Sequence, residues 1–452
     1  RRRAQEQELP MFAVYASVLR SAGIPLYKAL QELVGGKGER EFPQFCKDAK
    51  KIRWMEAIGE LEALEKFGYS TPSPLVKEYI LGYTSEVRSG GDEVRYLEGK
   101  CADLLRAEEE RWRRYSELVS SFGEVFLSLL IFLPLLSIVA CFLSPETAGS
   151  YALVSTLIGI PVLTMIGVGT IRGTQPKTFD MHDSGLLPPL LVGGLLGILF
   201  LLSGTDLWVG LSLVLAGALL AYGLPILLQR RVIEGQERGV VEFARDVTEY
   251  VKMGHDLPSA IKRLARERHY TKHFDRLLVH VASQLEQNVP LSDLDIPSRS
   301  WLVRVTFFQL GAVARSGGYN PRTLELLTTF MGRIRHLRST ARRGLLLYRG
   351  LSLATPLILS VVVGLMGGVL LNFSSFQAPG SGGTAFEIPR PSPYLASVGA
   401  LTVVVASFAV AVLSTYASEF TLKSTVWMGA NLLLAGVGLS LLGSLYSVFS
   451  WI

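Results

Sequence analysis

The chain is 452 residues long, 49% hydrophobic and only 19% charged, with a formal net charge of +6. So much apolar content at this length excludes an ordinary soluble protein and places the chain among membrane proteins. Three cysteines are too few for a disulfide framework, and Cys46, Cys101 and Cys141 read as buried structural thiols.

Taken in order, residues 1–120 read as a helical bundle. Apolar residues recur at helical spacing over Pro10–Leu19, and Ala22-Gly23-Ile24-Pro25 ends that helix in a turn. Helical patterns follow over Leu26–Leu33 and Trp54–Phe67. Ser70–Ser73 turns the chain, with Pro74 near the first position of a helix over Leu75–Val87. Arg88-Ser89-Gly90-Gly91 then supplies the left-handed backbone of a helix C-terminus. Asp92 restarts a long helix that runs through the charged stretch Arg106–Arg114 into apolar sequence.

A bilayer core needs about 20 consecutive apolar residues. Seven segments reach or approach that: Val125–Leu143, Tyr151–Ile171, Leu186–Ser203, Leu207–Leu228, Leu351–Leu371, Leu395–Thr415 and Met428–Ser450. Only Gly204, Thr205 and Asp206 separate the third from the fourth, so these two form a tight hairpin or a re-entrant pair. Between the fourth and fifth spans lies a second soluble stretch, 229–345. Its helical patterns cover Val240–Lys252, Leu257–Arg268, Phe274–Gln287, Trp301–Arg315 and Asn320–Tyr348, the last opened by Asn320 as cap and Pro321. The expected domains are therefore 1–120, spans 1–4 over 121–228, 229–345, and spans 5–7 over 346–452 with an external loop at 372–394. The glycosylation triplet Asn372-Phe373-Ser374 lies at the edge of that loop.

The two soluble stretches repeat one another. Leu19-Arg20-Ser21-Ala22-Gly23-Ile24-Pro25-Leu26, followed by Ala29-Leu30, recurs as Tyr250-Val251-Lys252-Met253-Gly254-His255-Asp256-Leu257, followed by Ala260-Ile261. Ala314-Arg315-Ser316-Gly317-Gly318 answers Val87-Arg88-Ser89-Gly90-Gly91. An internal repeat of this length defines the architecture: two copies of one helical module, each feeding membrane spans. The fold class expected is all-α, a polytopic membrane protein with about seven transmembrane helices and two homologous cytoplasmic helical bundles.

The cations set the orientation. Residues 1–120 and 229–345 each hold 20 Lys and Arg, and seven spans leave only Arg390 on the far side. Both modules are thus expected in the cytoplasm and the C-terminus outside. The chain opens on charged helix, so no cleavable signal peptide is expected; it opens without Met, which leaves room for residues upstream. The copies differ in charge. The first carries 20 acidic groups and is neutral; the second carries 12 and is basic. Lys262, Arg263, Arg266 and Arg268 form one cluster, expected to meet an acidic protein partner. Arg333, Arg335, Arg338, Arg342 and Arg343 form another beside a span, expected to face anionic lipid.

No phosphate-binding loop, zinc-protease helix, nucleophile elbow or Cys/His cluster is present. His255 and His269 lack paired ligand spacing, and Asp180, His182 and Asp183 read as a polar turn rather than a metal site. Span centres carry no charge, unlike those of most transporters and pumps. They carry instead small residues at close-packing spacing, Gly193/Gly197 and Gly364/Gly368. No catalytic residue, cofactor, metal or nucleic-acid partner is expected. A transporter or channel with duplicated regulatory domains is the alternative, and a membrane enzyme would lack its nucleophile, base and metal.

The duplicated pattern resembles the F domain of type II secretion and type IV pilus systems. It rests on Gly23, Leu26, Arg88, Ser89, Gly90 and Gly91 in the first copy, and on Gly254, Leu257, Arg315, Ser316, Gly317 and Gly318 in the second. Two such domains, each preceding membrane helices, are similar to that family's inner-membrane platform proteins. Four spans between the copies and three after them look most like the archaeal branch, the platform of the archaellum and of archaeal type IV pili. The resemblance implies a non-enzymatic platform in the cell membrane. It implies a homodimer that couples a cytoplasmic hexameric secretion ATPase to addition of pilin-like or archaellin subunits. The second copy departs from the pattern at Asp256, where the first has Pro25.

Overall fold

The computed structural model describes residues 2–34, 38–53, 59–143, 152–175, 185, 187–203, 207–315, 321–344, 346–375, 393–419 and 421–449. Among them the chain is all-α and divides into two compact units. One is built from residues 2–113 and Arg230–Ser339, so both copies of the repeat lie in it. The other gathers the apolar helices.

Copy 1 comprises α1 (Arg2–Ser21), α2 (Leu26–Gln31), the single turn α3 (Gly38–Glu41), α4 (Pro43–Arg53), α5 (Glu60–Ser70), α6 (Pro74–Arg88) and the start of α7 (Glu93–Leu143). The Leu26–Leu33 pattern stops at Gln31, and the helix expected over Trp54–Phe67 begins only at Glu60, Trp54–Ile58 lying outside the described residues. Ser73 caps α6 by accepting the Val76 N–H at 3.3 Å, with Pro74 in the first turn. Asp92 does the same for α7 through the Arg95 N–H at 3.1 Å.

The membrane unit continues with a π turn at Ser155–Gly159 that leads into α8 (Ile160–Thr174), then α9 (Leu187–Ser203) and α10 (Leu207–Lys252). Copy 2 is formed by the last turns of α10 with α11 (Leu257–Glu267), α12 (Lys272–Glu286), α13 (Trp301–Arg315) and α14 (Pro321–Gly344). The chain closes with α15 (Leu346–Ser375), α16 (Pro393–Glu419) and α17 (Val426–Phe449). The segments Leu207–Leu228 and Val240–Lys252, separate in the sequence pattern, are one unbroken helix of 46 residues. Likewise α7 is one helix of 51 residues, about 77 Å long at 1.5 Å per residue. Asn372, Phe373 and Ser374 fall inside α15 rather than in a loop.

Among the described residues five helices are long and apolar enough to cross a bilayer, and Pro188–Leu202 and Val426–Leu441 are shorter apolar helices. All seven overlap segments expected from the sequence, five of them at the length a crossing needs. The third and fourth pack as an antiparallel hairpin. A Cβ at Gly210 would strike Phe200, one at Gly217 would strike Leu196, and one at Gly193 would press on Ala218. Gly193 is therefore a close-packing glycine as expected, whereas Gly197 meets open space. Ser397–Glu419 is the most enclosed span. Thr156 and Thr402 share a hydroxyl hydrogen bond at 3.0 Å, and Asn431 donates to Ser352 Oγ at 3.2 Å. Such bonds satisfy polar groups that lipid cannot.

In the unit that holds the repeats one continuous apolar core passes through both copies, from Leu9 to Leu105 and from Val240 to Ile334. Phe12 stacks on Phe45 at 4.1 Å in copy 1, and Phe243 meets Phe274 at 5.4 Å in copy 2. Cys46 and Cys101 are buried thiols, and burial pushes Cys101 up to about 12; Cys141's side chain lies outside the described residues.

Candidate functional site

The motif glycines build helix ends. Gly23 has φ +89°, its N–H bonds Arg20 O at 2.9 Å, and the Ile24 N–H bonds Leu19 O at 2.9 Å. Gly254 has φ +88°, its N–H bonds Val251 O at 3.0 Å, and the His255 N–H bonds Tyr250 O at 3.1 Å. Both are Schellman ends, and Gly90, with Gly91 donating to Glu86 O at 3.0 Å, makes a third. A Cβ at Gly23 or Gly254 would meet nothing within 4 Å, so the demand for glycine there is one of backbone handedness. The Pro25/Asp256 difference leaves the backbone alone: φ and ψ are −70° and 157° at one, −72° and 152° at the other. What changes is the cap. Asp256 accepts the Ser259 N–H at 3.2 Å, and Pro25 accepts nothing through its side chain. A fourth Schellman end went unread in the sequence because asparagine supplies it: Asn288 has φ 61°, and the Val289 N–H bonds Gln284 O at 3.1 Å.

In copy 1 the two halves of the motif meet. Arg20 Nε lies 2.8 Å from Glu93 Oε2, Tyr83 donates its hydroxyl to the same oxygen at 2.6 Å, and that hydroxyl accepts the Leu26 N–H at 3.4 Å. Burial raises the Tyr83 hydroxyl well above its ordinary value, so it keeps the proton it donates. Leu26 itself is fully buried, as is Leu257. Arg88 points elsewhere, to Glu65 at 2.8 Å, and Ser89 bonds Glu86 O. Copy 2 has Val251 in place of Arg20 and uses the next residue: Lys252 pairs with Glu325 at 2.6 Å. Ser316, Gly317, Gly318 and Asn320 lie outside the described residues. Arg315 reaches Glu32 of copy 1 at 3.5 Å.

That pair belongs to a seam between the copies that the sequence pattern did not announce. Trp301 Nε1 donates to Glu41 O at 3.1 Å, and Arg304 Nε donates to Glu41 Oε1 at 2.9 Å. Arg304 also donates to Ser298 O at 3.1 Å, and Gln309 to Met11 O at 3.5 Å. Phe308 lies against Tyr15 at 5.3 Å and Phe42 at 6.1 Å. The Arg304 and Glu41 side chains are only 4% and 5% exposed. Burial raises the Glu41 carboxyl above its ordinary value, and the guanidinium beside it opposes that shift. One signal for Arg304 was available: a lone cation within the apolar run Trp301–Leu310.

The cluster proposed as a partner handle is on the surface but partly engaged. Arg263 pairs with Glu267 at 2.9 Å and covers the Tyr250 ring, Arg266 pairs with Glu286, and Arg268 grips Asp246 through two bonds of 2.9 and 3.1 Å. Lys262 is half-buried. Exposed pairs of this kind contribute about 0–1 kcal/mol each and are readily exchanged for an external partner. Of the second cluster, Arg333 is exposed and Arg335 half-buried; the side chains of Arg338, Arg342 and Arg343 lie outside the described residues. Among the described residues no group of His, Cys, Asp and Glu is placed to hold a metal; Asp180, His182 and Asp183 are not among them.

Comparison with curated proteins and with solved structures returns no match. Comparison with family models does. Residues 12–140, which run from α1 through copy 1 and along α7, match the model described as type II secretion system (T2SS), protein F. This all-α membrane protein carries a T2SS F domain at residues 12–140.

Proposed function

We propose that the chain is a non-enzymatic platform of the cell membrane for assembly of a type IV pilus-like filament. Its modules lie in the cytoplasm, where a hexameric secretion ATPase acts on them, and its C-terminus lies outside. The platform directs pilin-like subunits into the filament, and the span arrangement favours an archaellum or archaeal pilus. Chains act as homodimers beneath the motor. The observation that carries this reading is the F domain at 12–140 together with α7, one uninterrupted helix that begins at the Gly90–Gly91 turn and ends in an apolar span.

Copy 2 is the motor contact in this reading, through Lys262, Arg263, Arg266 and Arg268. The test is a pull-down of the purified ATPase by the full chain in nanodiscs, with Arg263→Glu and Arg266→Glu combined. Both side chains lie on the exposed face of α11, so the variant is expected to insert normally and lose at least about tenfold in affinity, with weaker salt dependence. Unchanged binding would overturn the electrostatic contact. Solute flux through proteoliposomes that lack any ATPase would overturn the platform reading itself.

A further inference from the structure

The two copies share a backbone plan yet meet by unlike faces. Copy 2 offers α13; copy 1 offers α1 and the turn at Glu41. Such a contact is heterologous, and a heterologous contact between repeats can in principle be extended by a further copy. We propose that Glu41 and Arg304 form a pairing code: they admit copy 2 onto copy 1 and bar either copy from docking on its own kind, within a chain or between chains.

The argument lies in what each copy carries at the other's contact positions. The spacing of Gly90 and Gly317 sets Pro74, Lys77, Leu81 and Gly82 of α6 where α13 has Trp301, Arg304, Phe308 and Gln309. Lys77 is exposed and sits 5.4 Å from the Tyr69 ring. Five of the fifteen residues of α6 are buried, along one stripe, against twelve of fifteen in α13. A helix apolar on all sides needs cover on all sides; a striped one does not. Thus α6 lacks the docking face that α13 has.

The reciprocal surface is also missing. The spacing of Gly23 and Gly254 sets Glu242 and Asp246 of copy 2 where copy 1 has Met11 and Tyr15. Asp246 is already held by Arg268 and Tyr270. The segment of copy 2 that answers the approach to Glu41 is Arg268-His269-Tyr270-Thr271-Lys272, which holds no carboxylate of its own, while the adjacent Asp246 and Asp275 are already engaged by Arg268 and by the Tyr270 hydroxyl and N–H. Docking copy 2 on copy 2 would bury Arg304 against these cations, the repulsive element a selective interface needs. Docking copy 1 on copy 1 would match Lys77 to Glu41 but without Trp301 or Phe308. A buried ion pair adds little net stability, yet removing one partner strands a buried charge, so the pair discriminates more than it stabilises.

The test uses the full chain in nanodiscs and hydrogen exchange across α13. Glu41→Lys copies the charge of copy 2's segment into copy 1 and is expected to speed exchange in α13 at least about tenfold, while α11 and α12 stay protected. Arg304→Glu is expected to do the same, and combining the two restores protection to within a few-fold of the parent. A combined variant no better protected than the singles, or singles that leave α13 protected, would overturn the code. Should the reversals fail to insert, Arg304→Met strands Glu41 alone and Arg304→Met with Glu41→Gln relieves it. Equal exchange in those two chains would overturn the code as well.

Discussion

Glycine at 23 and at 254 is required for one reason, and the structure allows the size of the effect to be worked out. Each sits at φ near +90° at a Schellman end, with no heavy atom within 4 Å of where a Cβ would stand. Alanine there meets no clash, so the whole cost is the left-handed backbone, about 1 kcal/mol. Gly99 provides the opposite control. It lies inside α7 with the same open space around its Cβ and no positive φ, so alanine there should stabilise by up to about 1 kcal/mol. Hydrogen exchange of the Ile24 and His255 amides, which donate to Leu19 O and Tyr250 O, reads the local opening. A cost of about 1 kcal/mol is roughly a fivefold acceleration at Ile24 in Gly23→Ala and at His255 in Gly254→Ala. Gly99→Ala should slow exchange in the first turns of α7. If all three substitutions shift exchange in the same direction, backbone handedness is not what the motif glycines provide.

The remaining predictions concern side chains. Glu8 of α1 is buried, accepts the Gln44 and Phe45 N–H groups at the start of α4, and has a carboxyl raised to about 7, chiefly by burial. A raised value means that the folded state binds the extra proton: Glu8's contribution is complete below about pH 4.5 and is lost as pH rises through 7. Glu8→Gln should therefore flatten the decline in unfolding temperature between about pH 4.5 and 7; an unchanged slope would refute the assignment. Tyr83→Phe removes the hydroxyl that joins Leu26 to Glu93 and should lower stability by about 1 kcal/mol in denaturant unfolding. Asn288→Gly should be neutral and Asn288→Ala should cost about 1 kcal/mol, the left-handed position tolerating only the first. Cys101 should resist alkylation in the folded chain and react on unfolding, because burial disfavours its thiolate.

Much of this architecture was legible because its signals are local. Gly23 and Gly254 break helical periodicity where a left-handed residue must stand, and Pro74 after Ser73 opens a helix in sequence as in space. The apolar runs declare themselves by length. What escaped was long-range. Arg20, Tyr83 and Glu93 come from three helices, and no spacing rule connects them before the turns bring them together. Glu41 sits in a single turn among polar neighbours, Gly38-Glu39-Arg40, and reads as surface until α13 covers it. Asn288 hid for another reason: asparagine enters the left-handed region less often than glycine, so the turn went unrecognised.

Charge is where sequence and structure weigh differently. Counted along the chain, copy 1 is neutral and copy 2 strongly basic. Counted at the surface, the contrast narrows from both sides. Copy 1 buries Glu8, Glu41 and Asp48, two of them as acceptors at helix starts or for glutamine and one for Arg304. These carboxylates are lost to solvent, and what copy 1 shows outside is more positive than its sum. Copy 2 buries Arg304 against copy 1 and ties Arg263, Arg266 and Arg268 to carboxylates on its own surface. Net charge governs long-range attraction of an acidic partner, which decays within about 10 Å at 0.1 M salt. Beyond that range screening leaves neither copy an advantage. Selection between them must then come from close contacts, where an incoming carboxylate competes with Glu267, Glu286 or Asp246 for an arginine already arranged to receive one. A motor that chooses copy 2 does so by displacing those carboxylates, and its affinity should fall when Arg263 and Arg266 are reversed far more than when an equal charge is removed elsewhere on the same module.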